Sequence, residues 1–137
     1  MDAEIKTREK ALVLVVDDDD LMRSSTRRLL RLAGFRVEAF ASAEELLMSG
    51  RAEETACLIL DLRMPGMDGL QLQRHLAAQG RHIPIIFITA HENQDLRMEA
   101  LRAGAIDFLQ KPFSEEALLK AIRNALKTPP SDERKIP

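Results

Sequence analysis

Three short apolar runs constrain this chain more than any other feature: Leu12-Val13-Leu14-Val15-Val16, Cys57-Leu58-Ile59-Leu60 and Ile85-Ile86-Phe87-Ile88. Each has the length of a strand and is apolar on both alternating faces, so each fits a strand covered on both sides, as in a parallel sheet between helices. Each also stops abruptly at polar residues: Asp17 and Asp18, Asp61, and Thr89. In an open α/β sheet the carboxyl ends of the strands form the binding crevice, so these residues fall where chemistry is done. Phe35 to Phe40 alternates more strongly and suits a sheet edge, and Ala105-Ile106-Asp107-Phe108-Leu109 reads as a short fifth strand.

Between these runs the spacing turns helical. Gly34, Gly50, Gly80 and Gly104 each close such a segment, where a residue of positive φ ends a helix at least steric cost. The stretch from Asp20 to Ala33 carries Leu21, Met22, Ser25, Leu29 and Leu32 on one face, the predicted core face, with arginines elsewhere. Ser42 and Glu45 form a capping box, Asp68 is a further N-cap, and Ser114 caps a last helix that buries Leu118, Ile122 and Leu126. Strand and helix alternate five times. Right-handed crossovers then lead to an α/β fold, a doubly wound (βα)5 three-layer sandwich with a five-stranded parallel sheet of order 2-1-3-4-5. Residues 11–127 form this domain. Residues 1–10 are a polar N-terminal tail, and the Pro-rich, charged residues 128–137 are a linker or tail.

A chain of 137 residues, 45% hydrophobic and 31% charged, holds one domain with a real core. Its net charge of -2 and scattered basic residues argue against direct nucleic-acid contact by this segment. No apolar stretch approaches the roughly 20 residues that span a bilayer, and the first ten residues lack an apolar signal core, so a cytoplasmic location with no membrane contact is expected. The single Cys57 lies inside an apolar run and is read as a small buried hydrophobe.

If the sheet brings Asp17, Asp18 and Asp61 together, two carboxylates about 5 Å apart repel by roughly 3 kcal/mol at an effective dielectric near 20. A hard divalent cation relieves that, and Mg²⁺ (or Mn²⁺) suits an all-oxygen site that also binds phosphate. Asp61, alone between Leu60 and Leu62, is then the candidate nucleophile toward phosphorus. Thr89 offers a hydroxyl and Lys111 an ammonium to the transferring oxygens, and the backbone carbonyl of Arg63 would complete the metal shell. Each element alone is ordinary: four aspartates before a helix are a cap with dipole-favouring acids, and Lys-Pro is common loop chemistry. Their joint placement at four strand ends in one crevice is what carries weight.

These residues resemble the receiver domain of bacterial two-component response regulators. The likeness rests on Val15-Val16-Asp17-Asp18, Leu60-Asp61-Leu62-Arg63-Met64-Pro65-Gly66-Met67-Asp68-Gly69, Ile88-Thr89-Ala90 and Lys111-Pro112-Phe113, and runs from about Ala11 to Lys127. The resemblance implies an acidic metal-site pair at Asp17 and Asp18, the phosphoacceptor at Asp61, the switch hydroxyl at Thr89, the site lysine at Lys111 and a cis Lys111-Pro112 bond. It also implies transfer of a phosphoryl group from a partner histidine kinase to Asp61 with Mg²⁺, followed by slow hydrolysis. The protein thus catalyses its own modification without being a conventional enzyme. Phosphorylation would draw Thr89 toward the phosphate, turn the aromatic at Phe108 inward and reshape the surface of the fourth helix, fifth strand and fifth helix. Because that aromatic is Phe and lacks a hydroxyl, the coupling would be steric. Arg63 and His91 are expected to tune hydrolysis by overhanging the path of the attacking water.

Two other functions are weighed against this one. An aspartyl-nucleophile phosphohydrolase of the haloacid-dehalogenase type wants a second Asp two residues after the first, where this chain has Arg63. A receiver-like module that binds partners without phosphorylation is disfavoured by the complete residue set. The chain reads either as a stand-alone receiver or as the N-terminal part of a longer regulator or hybrid kinase, acting on an output domain or a downstream protein partner. Phosphorylation-dependent homodimerisation through Arg102, Asp107 and Arg123 is a further expectation.

Overall fold

A computed structural model describes residues 11–90 and 93–127. Five parallel strands, β1 (Leu12–Val16), β2 (Arg36–Phe40), β3 (Cys57–Asp61), β4 (Ile85–Thr89) and β5 (Asp107–Gln110), pair in the order β2-β1-β3-β4-β5. Among the described residues five α-helices alternate with them, α1 (Asp20–Leu32), α2 (Ala43–Ser49), α3 (Gly69–Ala78), α4 (Gln94–Arg102) and α5 (Glu115–Lys127), with a short 3-10 turn at Arg51–Glu53 after α2. The doubly wound (βα)5 sandwich and its strand order are those expected from the apolar runs.

The sheet separates two cores, which is why its middle strands have no polar face. Val13, Val15, Ile59, Ile86 and Ile88 point to the side packed by Leu30 of α1 and by Leu118 and Ile122 of α5. Leu14, Val16, Leu58, Leu60 and Phe87 point to the side packed by Leu46 of α2, Leu72 and Leu76 of α3 and Ala100 of α4. Every residue of β1, β3 and β4 is buried, and each such aliphatic side chain contributes about 1.5–3 kcal/mol by leaving water.

Helix ends follow local chemistry closely. Gly34, Gly50, Gly80 and Gly104 all take positive φ. Asp19 caps α1 by accepting from the N–H groups of Leu21 and Met22, and Ser114 Oγ accepts from Ala117 N at 3.0 Å. A reciprocal capping box forms at Asp68 and Gln71. At Ser42 the box is displaced: Ser42 accepts from Glu45 N, but the Glu45 carboxylate reaches Ala41 N.

Two expectations need correcting. α1 does not bury Leu21, Ser25 and Leu32: Leu21 and Leu32 are 77% and 78% exposed, and Thr26 and Leu30 are the buried residues. The helix is turned about a quarter of a turn from the face its leucines mark, because the sheet takes the stripe that fits between β1 and β2. The fifth strand begins at Asp107, two residues later than the apolar signal, since Ala105 N and Gly104 N first close the end of α4 by donating to Ala100 O and Leu101 O. The predicted tails at 1–10 and 128–137 lie outside the described residues.

Candidate functional site

Parallel pairing sends the carboxyl ends of β1, β3, β4 and β5 to one edge of the sheet. Val16 pairs with Leu60 and Asp61 with Ile88, so Asp17 and Asp61 emerge side by side, and Thr89 ends the neighbouring strand. One carboxylate oxygen from each of Asp17, Asp18 and Asp61 lies within 4.8 Å of the others. Asp17 and Asp61 are buried and Asp18 faces solvent. Lys111 arrives from the end of β5, where its N–H donates to Thr89 O at 2.7 Å and its bond to Pro112 is cis. Its Nζ stands 3.1 Å from Asp17 Oδ2 and 3.5 Å from Asp61 Oδ2. The cluster expected from four separated segments is therefore one rim.

The electrostatics of that rim are unbalanced. Burial, and then the adjacent Asp17 carboxylate, push the Asp61 carboxyl up from 3.8 to about 7, against the opposing pull of Lys111 and the Arg63 N–H. Burial opposes the charge on Lys111, but Asp17 and Asp61 outweigh it and hold the ammonium above its ordinary range. Three carboxylates thus face one ammonium. An all-oxygen donor set with surplus negative charge and one member open to solvent fits a hard divalent cation that keeps some of its waters.

The remaining predicted residues fall as follows. Thr89 is buried at the tip of β4. Phe108 is only 4% exposed, its ring already inside and 6.2 Å from that of Phe87. The Arg63 backbone N–H donates to Asp61 Oδ1 at 3.3 Å while its side chain is exposed. His91 lies outside the described residues. Arg102 and Arg123 are exposed, and Asp107 is half-buried, its Oδ1 accepting from Phe108 N at 2.7 Å.

Sequence reading missed three supports of this rim. Arg23 of α1 donates through Nη1 to the Asp17 carbonyl at 2.7 Å and pairs with Asp20. Gly69 opens α3 directly behind Asp61, where a Cβ would stand 2.5 Å from the Asp61 carbonyl oxygen. Glu44 of α2 accepts from Met67 N at 2.9 Å, and a Cβ on Gly66 (φ +74°) would meet its Oε2 at 2.8 Å. A glycine just inside a capped helix was the one available signal, since helix interiors disfavour it.

Comparison with known proteins agrees with the geometry. The family model for the response regulator receiver domain matches residues 13–123. Nodulation protein W of Bradyrhizobium diazoefficiens is 49% identical over 113 residues, covering 82% of this chain and 50% of that protein. The solved structure of the response regulator StyR superposes with a TM-score of 0.82 at 49% identity, covering 92% of this chain and 63% of that one. The crystal structure of FixJ-N superposes at 0.79 with 37% identity, covering 88% of this chain and 96% of that one. The chain thus spans about half the length of a curated relative it matches, and nearly the whole of FixJ-N. With every rim residue from Asp17 to Lys111 inside the matched span, the chain belongs to the response regulator receiver domain family.

Proposed function

We propose that this chain accepts a phosphoryl group on Asp61 from the phosphohistidine of a histidine kinase, with Mg²⁺ (or Mn²⁺) at Asp17, Asp18, Asp61 and the Arg63 carbonyl, and switches an output domain or partner. The observation that carries this reading is the meeting of three carboxylates within 4.8 Å with Lys111 bridging Asp17 and Asp61. The cation supplies charge neutralisation that lets an anionic carboxylate approach an anionic phosphoryl group. The chain's own residues do the rest. Asp61 is held on a central strand for in-line attack, its oxygen forming the bond to phosphorus as the donor nitrogen departs with the electron pair. Lys111 stabilises the equatorial oxygens as charge builds, and the Thr89 hydroxyl binds one of them in the acyl phosphate.

Receiver domains are generally acceptors rather than turnover enzymes. Here Arg63 and His91 are assigned to the rate at which water removes the group. Switching is assigned to Thr89 and Phe108, read out on α4, β5 and α5, with Arg102, Asp107 and Arg123 as ion-pair partners in a phosphorylated homodimer. Residues 11–127 are taken as the folded unit. Among the described residues no helix is long and apolar enough to cross a membrane, which accords with a cytoplasmic setting.

Incubation with acetyl phosphate and Mg²⁺ followed by intact-mass measurement tests this. One added phosphoryl group that disappears in Asp61→Asn, without continuing turnover of donor, is the expected result. Label persisting in the Asn variant refutes the acceptor assignment, and sustained hydrolysis of small phosphoesters favours a phosphohydrolase.

A further inference from the structure

Gln73 of α3 is buried, at 5% exposure, and its amide is used on one side only. Its Nε2 donates 3.1 Å to the carbonyl oxygen of Ala100, near the end of α4. That carbonyl is already satisfied, accepting from Ala105 N at 3.0 Å in the turn that closes the helix. Gln73 Oε1 meets no donor among the described residues. The side chain therefore gives a second bond to an oxygen that has one, and leaves its own oxygen desolvated and unpaired. As a contribution to fold stability this is a poor arrangement: an apolar side chain of similar length fills the same space and strands no polar atom. What the amide does that an apolar chain does not is fix direction. A hydrogen bond sets the distance and angle of the α4 terminus against α3, where methyl and methylene contacts allow sliding.

The tie does not stand alone. Arg74, the next residue of α3, pairs with Glu99 of α4. Two residues earlier on α4, the Arg97 guanidinium lies 5.8 Å over the Phe108 ring. Phe108 packs on Phe87, and Phe87 Cε1 is 3.0 Å from where a Cβ on Gly69 would be, the residue that backs the Asp61 carbonyl. A path of contacts thus runs from the acceptor through Gly69, Phe87, Phe108 and Arg97 into α4, and returns to α3 through Gln73.

We propose that Gln73 is a positioning residue: its amide clamps the C-terminal end of α4 to α3, and the strength of that clamp sets how far α4 moves when Asp61 is phosphorylated. The second half rests on the acceptor reading of Asp61; the first half does not. Three amides report the clamp directly, because Ala103, Gly104 and Ala105 donate to Glu99, Leu101 and Ala100 at the helix end.

The test compares the full chain with Gln73→Met and Gln73→Leu by amide hydrogen exchange and thermal unfolding. In both variants the three reporter amides are expected to exchange about five-fold or more faster, while β3 and β4 amides and the unfolding midpoint hold or improve. Unchanged exchange, or a lowered midpoint in both variants, overturns the clamp. The coupling is tested by adding beryllofluoride with Mg²⁺, an acyl-phosphate mimic. Reporter exchange should rise in wild type as the clamp yields, rise less in the Gln73 variants because their clamp is already open, and not respond in Asp61→Asn; an equal or larger rise in the Gln73 variants overturns the coupling. If wild type does not respond while the Gln73 variants remain loosened, the coupling is overturned and the clamp stands.

Discussion

Replacing Asp61 with Asn is expected to stabilise the metal-free fold, and by an amount that depends on pH. The wild-type carboxyl titrates near 3.8 when unfolded and about 7 when folded, because burial and Asp17 disfavour its charge. The folded state therefore binds the proton more tightly at this site, so the Asp61 contribution to wild-type stability is greatest below about pH 4 and is lost as pH rises to about 7. Roughly three decades of proton affinity correspond to about 4 kcal/mol of penalty at pH 8, of which about 2 kcal/mol is already present at pH 5. Asn does not titrate, so whatever its amide gains or loses in hydrogen bonding is the same at both pH values and cancels in the comparison. The advantage of Asp61→Asn over wild type should thus be about 2–3 kcal/mol larger at pH 8 than at pH 5. The chain has no Trp or Tyr, so urea unfolding is best followed by far-ultraviolet circular dichroism. Added Mg²⁺ at pH 8 should narrow the gap by stabilising wild type alone. A gap equal at the two pH values refutes the claim that this carboxylate is held charged at a cost.

Lys111→Met removes the ammonium shared by two buried carboxylates, and should cost about 2–4 kcal/mol in urea unfolding without metal, with Mg²⁺ restoring part of it. Gly69→Ala places a methyl 2.5 Å from the Asp61 carbonyl oxygen, so its unfolding midpoint should fall and its Mg²⁺ affinity by calorimetry should weaken, because backbone there has no room to yield. Leu60→Ala, at the middle of the sheet, should cost about 2–5 kcal/mol with no change in the pH dependence of stability. Leu21→Ser with Leu32→Ser should change stability by less than about 0.5 kcal/mol, since both leucines are exposed in α1; a larger loss would restore the face their spacing marks.

The strands, their order and the rim were legible because they depend on short-range patterns: continuous apolar runs admit only doubly covered strands, and right-handed crossovers leave few ways to connect them. Asp17 and Asp61 needed only to be one residue past paired positions, Val16 and Leu60. The face of α1 was not legible, because a helix with five leucine and methionine side chains and several arginines offers more than one plausible stripe, and packing against the sheet chose Thr26 and Leu30. Contacts made by backbone atoms were equally hidden. No periodicity encodes the Arg23 bond to the Asp17 carbonyl, the approach of Gly69 to Asp61, or the Gln73 bond to Ala100 across 27 positions.

The strand that ends in Asp61 is laddered on both flanks, β1 on one side and β4 on the other, with Leu62 N donating onward to Ile88 O. A residue rooted this way is an anvil: a blow struck there leaves it in place and travels outward. β5 borders the sheet and is laddered to β4 alone, and it carries both Phe108 and the approach to Lys111. β2 is the other margin; at either edge a strand can tilt without breaking the sheet in two, and at β5 such a tilt would shift Phe108 and Lys111 together.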